Sequence, residues 1–177
     1  IRLLLNHRSG LAKYSNFSEP EEIWGKTKTL HNKDILHLLG AKNIPLDFTP
    51  NSKFAYCNTN YAILALVIEE ISKNSYAEAM KYLVFNPLQM KNTFVFDFEN
   101  QKDTVSHSYK STKEIIPYDQ LDAIYGDKNI YSTPQDLLKF DLAMYSDDFI
   151  SNELKKEIFK GYSYEKKGIK NYGLGIR

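Results

Sequence analysis

One cysteine, Cys57, stands among 177 residues, which excludes an internal disulfide and any cysteine-based metal site. Charge of one sign is lacking too: 23 Lys and Arg face 22 Asp and Glu, leaving a net charge of +1. Without a basic field, the chain has nothing to grip nucleic acid or an anionic membrane surface. No apolar run approaches the roughly 20 residues that span a bilayer. His31 and His37 do not share the i,i+4 spacing of a helical zinc pair, and His107 is isolated, so no zinc site is expected. An initiator methionine is missing as well. The chain opens at Ile1 inside a helix-like run and stops at Arg177, just after strand-like Tyr172-Gly173-Leu174-Gly175-Ile176. Both ends look cut, and residues 1–177 are expected to be an internal piece of a longer protein.

What is present is apolar and aromatic. A 42% hydrophobic content with 13 Tyr and 10 Phe allows one sizeable core with thick aromatic packing. Ile1 to Asn6 reads as a helix stopped at Ser9-Gly10. Residues 12–31 read as a polar, irregular surface excursion with Pro20 and Trp24. Asn32 is expected to cap a helix carrying Ile35, Leu36, Leu38 and Leu39, stopped by Gly40. From about Asn60 to Ser72, Tyr61, Leu64, Ala65, Ile68 and Ile71 follow helical spacing, and Ile63, Leu66 and Val67 fill the flanks, which predicts a central helix. Ser75 starts an amphipathic helix ending near Pro87. Thr93-Phe94-Val95-Phe96 is a strand candidate. Ser132-Thr133-Pro134-Gln135-Asp136 opens a helix with hydroxyl caps and a first-turn proline and acid, and Ser151 opens another. This is an α+β pattern, mostly helical, with a few edge strands.

The chemistry-bearing stretch is Phe54-Ala55-Tyr56-Cys57-Asn58-Thr59-Asn60-Tyr61. Tyr56 can relay a proton and Asn58 can hold a carbonyl or amide from one platform. Cys57 is expected to be a small buried group pointing away from both. Asn58 has a competing position as helix N-cap. His7, beside Ser9 and Gly10, is expected to serve a helix terminus. Tyr125 and Tyr131 suit either a cleft or the core, and Asp127 and Lys128 read as a solvated turn.

Four segments in order carry a resemblance. Ile1-Arg2-Leu3-Leu4-Leu5-Asn6-His7-Arg8-Ser9-Gly10-Leu11 is similar to "I-R-x-L-L-x-H-x-S-G-L", and Phe54 to Tyr61 to "F-x-Y-S-N-x-x-Y". Asn86-Pro87-Leu88-Gln89-Met90-Lys91-Asn92-Thr93 is similar to "x-P-L-G-M-x-x-T". Gly126 to Thr133, then Asp136-Leu137, is similar to "G-x-G-G-x-x-S-T-x-x-D-L". Together they resemble the serine β-lactamase and penicillin-binding-protein-like family, especially its class C and esterase-like branch. The chain departs at Cys57, at Gln89 in place of a glycine, and at Asp127 and Asn129 where glycine is common.

The resemblance implies an α+β fold of which this segment is mostly the helical subdomain, a single partial domain lacking both ends. It implies a serine hydrolase that acylates its serine with a β-lactam, a D-alanyl peptide or a small ester or amide, then hydrolyses the acyl-enzyme. Tyr56 would be general base or proton relay, with nearby lysines supplied from outside this segment, and Asn58 would donate to the carbonyl of the substrate's acyl side chain. No cofactor or metal is implied, and a periplasmic or cell-envelope location is. The family's Ser-x-x-Lys and its Lys-Thr-Gly or His-x-Gly strand fall outside residues 1–177, so this chain alone is expected to be inactive. The literal Ser163-Tyr164-Glu165-Lys166 stands in reverse of family order, in what reads as an exposed hairpin or loop, and is a decoy. Two alternatives remain: a non-catalytic binding or sensor domain of the same fold, and an unrelated helical interaction module in which Tyr56 and Asn58 share no cleft.

Overall fold

Capping residues decide where most helices begin, and left-handed residues close α1 and α3. The computed structural model describes residues 1–17, 29–102, 104–164 and 171–177. Pro20, Trp24 and Lys166 therefore lie outside the described residues. Helix α1 (Arg2–Leu5) is closed by His7, whose backbone is left-handed at φ 55, ahead of the expected Ser9-Gly10 stop. Gly10 (φ +85) serves a later turn, where a Cβ would lie 2.2 Å from the Phe48 carbonyl oxygen.

Asn32, expected as a cap, is not one. In α2 (Asn32–Ala41) the N-cap is His31, whose N–H donates to the Asp34 carboxylate at 2.9 Å. Asn32 is fully buried. It donates to the carbonyls of Ala62 (2.9 Å) and Tyr125 (2.7 Å) and accepts from the Tyr125 N–H at 3.0 Å. A buried amide left unpaired is costly, so these bonds pin α2 to its neighbours. Gly40 sits within the last turn instead of ending it.

The core joins Ile35 and Leu38 of α2 to Ala62 of α3 (Thr59–Ser72), with Ala12, Tyr14, Phe17 and Ile124 around them. Fully burying Ile35 and Leu38 contributes about 2 kcal/mol each. Ala12, Tyr14, Phe17 and Leu30 being buried corrects the surface reading for the described parts of 12–31. The first half of α3 is central as expected, but Ile68 is half-buried and Ile71 exposed, so its second half lies at the surface. Lys73 ends it with φ 56.

Ser75 caps α4 (Tyr76–Met80) by accepting from the Glu78 N–H, while the Glu78 carboxylate accepts from the Ser75 N–H at 3.1 Å. The helix widens into a π turn at Lys81–Phe85. Then follow β1 (Phe94–Val95), α5 (Phe98–Gln101), β2 (Tyr109–Ser111), β3 (Glu114–Ile115) and β4 (Ile130–Tyr131). β1 pairs antiparallel with β4, Phe94 opposite Tyr131, and their rings stack 5.8 Å apart. β2 pairs with β3. Gln89 (φ 54) and Asn129 (φ 72) adopt left-handed backbone at two of the three departures from glycine. Asn129 offsets that strain by donating to the carbonyls of Asp122 (2.6 Å) and Ile124 (2.8 Å).

Thr133 accepts from the Asp136 N–H to cap α6 (Pro134–Tyr145), and Ser151 does the same for α7 (Asn152–Phe159) through Leu154. Asp136 is more than a first-turn acid. Fully buried, it accepts from the Asn92 N–H (2.7 Å) and Thr93 Oγ1 (3.0 Å) and pairs with Lys139 (2.6 Å). Leu137, Leu138, Leu142 and Tyr145 of α6 and Leu154 and Phe159 of α7 remain exposed. β5 (Ser163–Tyr164) pairs antiparallel with β6 (Asn171–Tyr172). Among the described residues, no helix is long and apolar enough to cross a membrane.

Candidate active-site wall

Burial alternates from residue 56 to 59, where the chain enters α3. Tyr56 (47% exposed) and Asn58 point out, while Cys57 and Thr59 are buried. The Cys57 thiol donates to the Leu11 carbonyl at 3.3 Å, in keeping with the small buried role expected of it. Asn58 holds the N-cap position of α3, yet its side chain makes no capping bond. Thr59 takes the structural work instead, donating to the Ala12 carbonyl and accepting from the Tyr14 N–H, both at 2.8 Å. Asn58 is thereby left free of the cap.

His7 supports Tyr56 from beneath. The Ala55 N–H donates to the His7 carbonyl at 3.0 Å, and the His7 ring lies 4.3 Å from the Tyr56 ring. Rings of Tyr61 and Tyr172 lie 5.1 Å away on other sides. The tautomer follows from the donors. The Leu11 N–H donates to Ser9 Oγ (3.1 Å), which in turn donates to Asn60 Oδ1 (2.6 Å). That fixes the Asn60 amide nitrogen toward His7 Nδ1, 3.1 Å away. The Cys57 N–H reaches the same Nδ1 at 3.2 Å. Nδ1 must accept, so the proton sits on Nε2 and donates to the Tyr172 hydroxyl at 3.2 Å. His7 thus orders a whole layer under Tyr56, a larger role than the helix terminus expected of it. Tyr61 donates to the Leu5 carbonyl at 2.8 Å, and burial raises its pKa.

Tyr56 and Asn58 line one cleft of about 340 Å³ with Lys13, Tyr14, Ser15 and Leu121. Tyr14 was illegible in the sequence, being one of 13 tyrosines in an aperiodic stretch. Its hydroxyl donates to Asp127 Oδ2 at 2.6 Å. Burial first, then the Asp127 carboxylate, raise the Tyr14 pKa, and the Asn58 side chain opposes the shift. Asp127 is therefore half-buried and engaged instead of a solvated turn. Burial pushes its carboxyl above the ordinary value, with the Tyr14 bond and Lys128 pulling back.

The other candidates are elsewhere. Lys128 pairs with Asp122 at 3.5 Å. Tyr125 stacks on Tyr76 at 5.3 Å and donates to Glu69 at 2.8 Å, and Tyr131 packs on Phe94 and Phe96. Ser163 lies in β5, paired antiparallel with β6, which suits the hairpin expected there, but it is buried instead of exposed and accepts from Arg8 Nη1 at 3.1 Å. Among the described residues, no group of three or more His, Cys, Asp or Glu side chains is placed to hold a metal ion.

The β-lactamase family model matches residues 1–177. A penicillin-binding protein of Bacillus subtilis (strain 168) is 33% identical over 190 residues, covering 99% of this chain and 42% of that protein. A teichoic acid D-alanine hydrolase of Staphylococcus aureus is 30% identical over 142 residues, covering 78% of this chain and 33% of that protein. The crystal structure of a penicillin binding protein from Bacillus halodurans superposes with a TM-score of 0.79 at 23% identity, covering 98% of this chain and 54% of that one. The fold is thus the β-lactamase/transpeptidase-like one, and the chain spans less than half the length of the curated relatives it matches.

Proposed function

The chain belongs to the β-lactamase family, and we propose that it forms one wall of the active site of a serine hydrolase working through an acyl-serine. The observation that carries this reading is the shared cleft of Tyr56 and Asn58, which the unrelated-module alternative does not expect. Tyr56 Oη takes the proton of the attacking serine and passes it to the departing oxygen or nitrogen. Asn58 donates an amide N–H to the carbonyl of the substrate's acyl side chain. The serine and its lysine come from residues beyond this segment. Ser163 is a poor nucleophile candidate, since it is buried in a strand and held by Arg8 and does not itself open a helix.

Residues 1–177 are in this reading a single partial domain, the helical part of an α+β whole. The exposed apolar side chains of α6 and α7 support it, because a complete domain seldom leaves such a surface uncovered. The substrate is a D-alanyl ester, a D-alanyl peptide or a β-lactam. The D-alanine hydrolase relative favours the D-alanyl compounds.

The test compares residues 1–177 with the complete protein, using a chromogenic β-lactam and a nitrophenyl ester. Turnover by the complete protein and none by the segment is the expected result. Segment activity abolished by Ser163→Ala would overturn the proposal. A complete protein that binds a penicillin without ever being acylated would make the domain a sensor instead.

A further inference from the structure

An asparagine amide offers two N–H groups and one carbonyl, and it selects a substrate only if its orientation is fixed. Asn58 lacks the capping bond that would fix it locally. What lies behind it is a built support. Tyr14 is 6% exposed and its N–H is tied to Thr59 Oγ1 at 2.8 Å. Its hydroxyl gives its single proton to Asp127 Oδ2 at 2.6 Å, so only lone pairs of that oxygen remain for the cleft that Tyr14 and Asn58 line together. Asp127 has no spare partner to turn to, since Oδ1 is buried without a hydrogen bond among the described residues. Gly126 makes the arrangement possible: at φ +94, a Cβ there would lie 2.6 Å from the Tyr61 carbonyl oxygen and 2.7 Å from Ala65 Cβ, so only glycine lets the loop bring Asp127 this near α3.

Resting on the reading that Asn58 holds the carbonyl of the substrate's acyl side chain, we infer that Asp127 and Tyr14 are positioning residues that set the Asn58 amide, with one N–H on the Tyr14 oxygen and the other toward the substrate. Without the carboxylate, the Tyr14 proton is free to turn onto Asn58 Oδ1 and reverse the amide. Asp127 forbids that state, and so discriminates for substrates that present a carbonyl acceptor at this point.

The test reads Asn58 itself. Its side-chain amide resonances in the complete protein are compared with those in Tyr14→Phe and Asp127→Leu, which keep the ring and the volume but remove the hydroxyl and the acceptor, with circular dichroism as the check on folding. Resonances displaced in both variants are the expected result; resonances unmoved in either variant overturn the inference for that residue. In the complete protein, Tyr14→Phe is expected to raise the half-saturating concentration of a fluorescent penicillin about 5-fold at an unchanged limiting acylation rate. That effect should vanish when Asn58 is already alanine, and an additive effect overturns the coupling. If Asn58→Ala leaves acylation untouched, the reading of the cleft fails, while the resonances still decide whether Asp127 and Tyr14 set the amide.

Discussion

Asp127 lies in the loop before β4 and Asp136 in the first turn of α6, and both are withdrawn from water, yet they have opposite characters. Asp136 is saturated: Lys139 holds one oxygen, and Asn92 and Thr93 share the other. The Lys139 bond first, then its other partners against burial, draw its pKa below the ordinary 3.8. Asp127 has one strong bond, to Tyr14, one oxygen without a partner among the described residues, and a pKa raised above 3.8 by burial. A region whose polar groups are all satisfied by the fold is scaffold. A region that keeps hydrogen-bonding capacity in reserve beside a cleft is suited to act on something else.

Substitutions can break that contrast by separating activity from stability. The largest effect is expected at the cleft: in the complete protein, Tyr56→Phe should slow acylation about 100-fold while thermal unfolding stays unchanged, because only an exposed hydroxyl is lost. A parallel fall in Tm would make Tyr56 scaffold. Asp136→Ala should do the reverse, lowering Tm by about 8 °C in a calorimetric scan with acylation per folded molecule retained.

The smallest effect has the most informative sign. The depressed pKa of Asp136 means its stabilisation is complete above 3.8 and is lost as pH falls through the lower folded value. The raised pKa of Asp127 means its ionised form costs stability at neutral pH, a cost relieved as pH falls through the raised value. Asp127→Asn should therefore raise Tm at pH 7 by about 2 °C, an advantage that shrinks on acidification. A loss of Tm at pH 7 would erase the distinction between the two aspartates.

Local signals were legible in the sequence. Ser75, Thr133 and Ser151 cap where their hydroxyls and downstream residues indicate, and the alternation about Cys57 separates Tyr56 and Asn58 from the core. What depends on distant partners was not. Asn32 has the composition of a cap, but satisfying Ala62 and Tyr125 across the core outweighs capping one helix. Tyr14 and Phe17 are core residues without periodicity, since the single 3₁₀ turn that Tyr14 opens and Phe17 closes is too short to show a repeat. Asp127 followed a glycine in a segment that resembles a glycine-rich loop, and only the close approach to α3 shows why an acid there is engaged.

Position 7 is a point where the code has almost no synonyms. Its backbone at φ 55 suits glycine or asparagine, but glycine would empty the layer under Tyr56 and asparagine cannot serve both Cys57 and Tyr172. Phenylalanine and tyrosine would fill the space, yet neither accepts from the Cys57 N–H, and both are strained in a left-handed turn. Histidine alone meets the torsional, steric and protonic demands together. Random variation of this codon should leave a nearly blank column in a map of tolerated substitutions, while the exposed residues around it drift.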